Sequence, residues 1–163
     1  IDANPLLEGP WLASRPKDQF LNCCISASGE TSNFIDFYRF EQPAMSTSNP
    51  ERAKEMVKQG IPLVQKIRFP SLSLINLAKY LKMHNQTKFD FVSIDLEWTN
   101  YFPDLPEFLS IIKPKLICIE KISGNFNINN FETTLEYKYL TQSKYKLIDI
   151  RGVNIFAKPS EKY

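Results

Sequence analysis

The stretch Phe89-Asp90-Phe91-Val92-Ser93-Ile94-Asp95-Leu96-Glu97-Trp98 decides how this chain is read. Its apolar and small residues have the length and composition of a buried strand over Phe89–Leu96. Two carboxylates stand at its C-terminal end, which is where ligands bind in an open parallel sheet. Alternation along a strand puts Asp95 and Glu97 on one face, about 7 Å apart at Cα. Two acids so placed repel one another unless a cation, a proton or a bound donor separates them. The pair therefore suits a divalent metal, the hydroxyls of a substrate or general-base work. The plainer alternative is that one acid caps the following helix while the other is solvated.

Working outward, Pro, Gly and Asn divide the sequence into short apolar runs alternating with amphipathic stretches. Upstream, the pattern predicts a helix over Leu6–Ser14, a buried strand over Phe20–Ala27 and an alternating strand over Phe34–Phe40. A loop over Gln42–Asn49 leads to a helix from Pro50 to Gln59, capped by Ser48 or Asn49 and stopped by Gly60. Leu63–Phe69 reads as a half-exposed strand. Ser71 then caps a helix whose apolar face carries Leu72, Ile75, Ala78 and Leu81. Downstream, a helix through Phe108–Ile112, a buried strand Leu116–Glu120 and a helix from Phe131 to about Ser143 are expected. A hairpin of Leu147–Asp149 and Asn154–Ala157 turns at Arg151-Gly152. Strand and helix alternate almost throughout, so the fold class is α/β, a mostly parallel sheet with an antiparallel C-terminal end.

Composition narrows the function. The chain has 163 residues, enough for one domain with a core, and 43% of them are hydrophobic. Its net charge of +2 is spread along the chain and selects neither nucleic acid nor a membrane surface. No apolar run reaches the roughly 20 residues of a membrane helix, and no signal peptide is visible; a cytoplasmic setting is the expectation. The five glycines are scattered, so no Gly-rich phosphate loop can be built from these residues. Cys23, Cys24 and Cys118 have no metal-ligand spacing and sit in apolar runs, as reduced buried thiols do. The single histidine, His84, lies in a polar helix end and reads as solvated surface.

Three smaller features could serve a ligand. Asp2 follows the end of a strand-like segment, a place from which an acid can accept both hydroxyls of a ribose, and Asn4-Pro5 launches the next helix. Ser26-Ala27 would suit the edge of a flat base, although Ser-Ala-Ser-Gly is equally a plain turn. Trp98 and Tyr101 could line a substrate pocket or simply fasten their loop to the core. Glu120 reads as an outer acid of the site or a surface residue.

Taken in order, Ile1-Asp2-Ala3-Asn4-Pro5, Asn22-Cys-Cys-Ile-Ser-Ala27 with Gly29, Phe37-Tyr38, Ser71-Leu72, Phe89 to Glu97, Lys113-Pro-Lys-Leu-Ile-Cys-Ile-Glu120 and Tyr145-Lys-Leu147 resemble the FkbM-type methyltransferase family. The resemblance covers nearly the whole chain. It implies a Rossmann-like, S-adenosylmethionine-dependent O-methyltransferase acting on a hydroxyl of a sugar, glycan or secondary metabolite. By that resemblance Asp2 and Asn4 hold the cofactor ribose, Ser26 and Ala27 meet the adenine, and Asp95 and Glu97 flank the transferred methyl group. Trp98 and Tyr101 then fall on the substrate side, and a divalent cation would sit on Asp95 and Glu97 if one is used. The family pattern Ile-Asp-x-Glu-Gly-x-Glu departs here at Trp98 and Asn100. The family's first strand and Gly-rich loop would lie before Ile1, so the resemblance places residues 1–163 as the C-terminal three-quarters of one domain. A sheet lacking that central strand would expose edges that favour self-association. Two alternatives stand beside this reading: a degenerate, non-catalytic binding domain of the same fold, and a nucleotide-sugar glycosyltransferase using Asp95 and Glu97 as its metal motif.

Overall fold

A computed structural model describes residues 1–96, 100–120 and 128–160. They form an α/β protein with seven strands in two sheets, and the chain divides into two compact units. Residues 1–26 and 30–72 make the first unit, and residues 27–29 and 73–163 the second.

In the first unit, a 3-10 turn at Pro5–Leu7 runs into helix α1 (Glu8–Ser14). Asn4 starts this segment by accepting the Leu6 N–H on Oδ1 at 3.1 Å. Strand β1 (Cys24–Ile25) is far shorter than the apolar run Phe20–Ala27 predicts. Strand β3 (Leu63–Leu72) pairs with β1 only at Ser71 and Leu72, in parallel, while on its other edge its residues from Leu63 to Pro70 pair antiparallel with β2 (Phe34–Phe40). Pro70 sits where one ladder hands over to the other, so its missing N–H interrupts neither.

Helix α2 (Pro50–Lys58) begins where expected, with Asn49 Oδ1 accepting the N–H groups of Glu51 and Arg52. Its Ala53 and Met56 pack on Phe40, with Tyr38, Met45 and Ile61 at the margin. The preceding loop folds back onto β2: Tyr38 and Thr47 exchange two backbone hydrogen bonds of 2.8 and 3.0 Å.

In the second unit, helix α3 (Leu74–Met83) is capped by Ser73 rather than Ser71, which is spent in β3. Strand β4 (Phe91–Ile94) is parallel to β5 (Leu116–Glu120). A 3-10 turn at Phe102–Asp104 leads into helix α4 (Leu105–Ile112), which turns Leu105, Phe108, Leu109 and Ile112 inward. That i, i+3, i+4, i+7 stripe stabilises the unit by roughly 1.5–3 kcal/mol per side chain. Lys113 ends α4 in the left-handed region, at φ +47°.

The helix expected from Phe131 is divided: a 3-10 segment, Ile128–Thr133, precedes helix α5 (Leu135–Gln142), capped by Thr134 Oγ1 on the Tyr137 N–H. Strands β6 (Tyr145–Arg151) and β7 (Asn154–Pro159) form the expected hairpin, turning at Gly152 (φ +59°) and Val153. A positive φ at the first central residue is what a II′-type turn requires. The sheet order is β4-β5-β7-β6, with β7 antiparallel to both neighbours. Both sheets are thus mixed, with two parallel and three antiparallel strand pairings.

Candidate functional site

In the first unit, Asp2 makes a parallel bridge with Asn22, reinforced by Asn22 Nδ2 donating to the Asp2 carbonyl at 2.8 Å. Its exposed carboxylate accepts the Asn4 N–H on Oδ1 at 2.7 Å. Asn4 is buried, and its Nδ2 has no hydrogen-bond partner. An exposed acceptor and an unused donor therefore stand two residues apart, beside a one-residue parallel bridge. Ser26 is also buried; its N–H extends the β1–β3 ladder by donating to the Leu72 carbonyl at 2.9 Å. Cys23 and Cys24, directly after Asn22 in the chain, are buried. Burial pushes the Cys24 thiol up to about 12, with the Cys23 and Asp2 charges adding to the shift, and burial also raises Cys23. All three cysteines are free and buried.

The second unit holds Ala27, Asp95 and Tyr101, while Glu97 and Trp98 lie outside the described residues. Ala27 is half-buried, next to Ser28, whose N–H donates to the Asn100 carbonyl at 2.9 Å and whose hydroxyl bonds Asp104 Oδ1. Asp95 is exposed, directly past the end of β4. The register Ile94↔Ile119 brings it level with Glu120, and Glu120 is paired with Asn154 on β7. Registered neighbours point to the same face of a sheet. Asp95, Glu120 and Asn154 therefore form a polar row across the carboxyl ends of the two parallel strands. One step back, Ser93 and Cys118 are paired, and the Cys118 thiol donates to Asn154 Oδ1 at 3.6 Å. Burial raises the Cys118 thiol above its ordinary value, the hydrogen bond from Ser93 opposing it and the Asp95 and Glu120 charges adding to it.

Tyr101 is not an exposed stacking platform. It is 2% exposed, and its ring packs on Phe102 at 4.6 Å between centroids. Phe102 in turn stacks on Tyr139 of α5 at 5.7 Å, with the planes only 3° apart. The Tyr101 hydroxyl has no hydrogen-bond partner. Burial drives its pKa well above the usual tyrosine value, followed in size by the charges of Glu136, Asp95 and Glu120.

Glu136 is not visible as a site residue in the sequence. At the second position of α5 it reads as an ordinary acid complementing the helix dipole. The structure buries it to 2% exposure and leaves its Oε1 without a partner. Asp104, a plain loop acid by sequence, is 4% exposed with Oδ2 unpartnered. No group of three His, Cys, Asp or Glu among the described residues could hold a metal ion. His84 is exposed at the end of α3, its ring 4.5 Å from that of Tyr80. No helix among the described residues is long and apolar enough to cross a membrane. Compared with protein-family models, curated proteins and solved structures, the chain matches none.

Proposed function

We propose that this chain belongs to a Rossmann-like, S-adenosylmethionine-dependent O-methyltransferase of the FkbM type, acting on a hydroxyl of a small molecule or glycan. The observation that carries this reading is the position of Asp2 and Asp95. Asp95 is an exposed carboxylate just past the carboxyl end of the parallel strand β4, where α/β proteins bind ligands, and Asp2 is an exposed carboxylate on a one-residue parallel bridge with Asn22. The antiparallel C-terminal strands implied by the resemblance agree with β6 and β7.

The residues present fit the cofactor's ribose. Asp2 supplies an acceptor for its diol and the orphaned Asn4 Nδ2 a donor. Ser26 and Ala27 are small enough to let a flat base lie against their backbone. The cofactor, when bound, supplies an activated methyl on a sulfonium. What this chain must supply is alignment of the acceptor oxygen and removal of its proton. In this reading Asp95 accepts that proton on its carboxylate, with Glu97 as its companion acid. A divalent cation finds no three-ligand cluster among the described residues.

Calorimetric titration of S-adenosylhomocysteine tests the reading, once with residues 1–163 alone and once with any natural upstream sequence attached. Saturable binding that Asp2→Ala abolishes is the expected result. Absence of binding in both forms would sink the assignment.

A further inference from the structure

The ribbon formed by β2 and β3 has an open edge, and its register fixes which groups that edge offers. Tyr38 exchanges both of its backbone hydrogen bonds with Thr47, on the side of β2 away from β3. Tyr38 and Lys66 are therefore a non-hydrogen-bonded pair of the antiparallel ladder, and so are Asp36 and Arg68 two residues along. The N–H and C=O of Lys66 and of Arg68 consequently turn away from β2. The flanking bonds agree. The Ser71 N–H, one residue out of phase, donates to the Asn33 carbonyl at 2.9 Å on the β2 side. The Leu72 carbonyl, in phase with Lys66 and Arg68, accepts the Ser26 N–H on the β1 side. β1 follows this edge only at Ser71 and Leu72, and Pro70 just before them has no N–H with which to extend the ladder. Among the described residues, no strand or bridge pairs with Lys66 or Arg68 on that side, and both residues are exposed.

The side chains along this edge have a definite sign. Lys66, Arg68 and Asp36 share one face of the ribbon. Asp36 holds Lys66 Nζ at 2.7 Å, while Arg68 lies over the Phe34 ring at 5.7 Å and has no ion pair among the described residues. Two cations thus face one carboxylate. A second copy of this chain fits the edge poorly. Antiparallel pairing of two β3 edges centred on Lys66, Ile67 or Arg68 sets cation against cation, and like charges directly opposite destabilise a sheet. Nucleic-acid phosphates would meet the charges without the alternating N–H and C=O groups that a strand edge pairs with. An extended peptide supplies both.

We propose that the β3 edge at Lys66 and Arg68 is a docking site for an extended acidic segment of a partner protein, which adds as a strand with carboxylates beside the two cations. Positions i and i+2 of a strand stand about 7 Å apart on one face, so two acids at that spacing meet Lys66 and Arg68 together. The backbone bonds give affinity, and the cations choose the sequence. The site lies within the first unit and is independent of the methyltransferase reading.

The test is fluorescence polarisation on the full chain with a labelled, end-capped peptide, Thr-Glu-Val-Glu-Val-Thr, compared with Thr-Lys-Val-Lys-Val-Thr. The acidic peptide is expected to bind at least about fivefold more tightly than the basic one. Lys66→Glu combined with Arg68→Glu should reverse that preference; both positions are exposed, so the fold is kept. N-methylation of the acidic peptide at alternate residues separates strand pairing from simple charge attraction. Methyl groups in one phase should weaken binding about tenfold or more, and in the other phase by no more than about twofold. That comparison uses the unaltered chain, so it holds even if the double variant does not fold. Equal binding of the two peptides, or no binding of the acidic one at millimolar concentration, would overturn the proposal. So would equal effects of the two methylation phases, or an unchanged preference in a folded double variant. Tighter binding of single-stranded oligothymidylate, abolished by the double substitution, would assign the edge to nucleic acid. Sedimentation as a dimer that the double substitution disperses would assign it to a second copy. Either result overturns the peptide site.

Discussion

Phe102→Ala strikes the joint between the loop after β4 and helix α5. Phe102 is fully buried and makes two ring contacts, tilted on Tyr101 and face to face with Tyr139. Truncating a buried phenylalanine costs about 3–5 kcal/mol, transfer and cavity combined. Of that, about 0.5–1.5 kcal/mol belongs to a ring pair beyond its buried area. For a chain of this size, about 2–4 °C of Tm per kcal/mol puts the fall at roughly 6–20 °C. Urea denaturation followed by far- and near-ultraviolet circular dichroism measures it, with Tyr139→Ala and the double variant completing a thermodynamic cycle. A coupling of about 0.5–1.5 kcal/mol between Phe102 and Tyr139 is expected. A loss under about 1 kcal/mol for Phe102→Ala, or additive single and double variants, would show that the rings do not pack as described.

Three further outcomes follow from other parts of the fold. Tyr145→Phe removes a buried hydroxyl that donates to the Pro114 carbonyl at 2.7 Å and should cost about 1–3 kcal/mol by urea denaturation, since the carbonyl is left unmatched. Asn49→Ala deletes two N-cap hydrogen bonds of α2 and should lower stability by about 1 kcal/mol, with Asn49→Asp restoring most of it. Cys24 is held neutral by burial, its pKa raised from 9.0 to about 12, so its contribution is complete below pH 9 and is lost as pH rises toward 12. Denaturation midpoints taken between pH 8 and 10.5 should therefore fall more steeply than those of Cys24→Ala, by at most about 1.4 kcal/mol per pH unit. Parallel slopes would contradict the burial of this thiol.

Elements whose signals are local are readable from the sequence. Phe34–Phe40 and Leu116–Glu120 form strands with the expected bounds, one marked by alternation and the other by a continuous apolar run. Asn49-Pro50 likewise announces α2, because a cap and a proline act within one turn. What cannot be read depends on partners distant in the chain. Phe20–Ala27 has strand composition throughout, yet only Cys24 and Ile25 join a ladder, since β1 runs alongside β3 only at Ser71 and Leu72. Ser71 and Ser73 are equivalent caps by type; Ser71 is claimed by β3 and by the Ser32 carbonyl, which its hydroxyl reaches at 3.1 Å. Lys113 and Lys144 follow α4 and α5 with positive φ where glycine is the usual residue, yet the helix ends expected at Ile112 and near Ser143 agree with the structure, Pro114 marking the first. In the site, Asp2 and Asp95 are legible because position past a strand is a sequence property. The burial of Glu136 and Tyr101 is not, since it depends on packing between segments distant in the chain, of which the Phe102–Tyr139 contact across 37 residues is one.

The handover at Pro70 makes residues 34–70 a detachable excursion. Its two ends are already fastened to one another: the Ser71 N–H donates to the Asn33 carbonyl at 2.9 Å, beside the Ser71–Ser32 bond. The ladder to β1 starts only beyond that clasp, at Ser71 and Leu72. A closed neck of this kind lets the segment above it change length or be exchanged for a short turn while the β1 pairing below stays in register. In evolutionary terms, this is where the fold can gain or shed a whole hairpin and helix without moving Asp2 or Ser26.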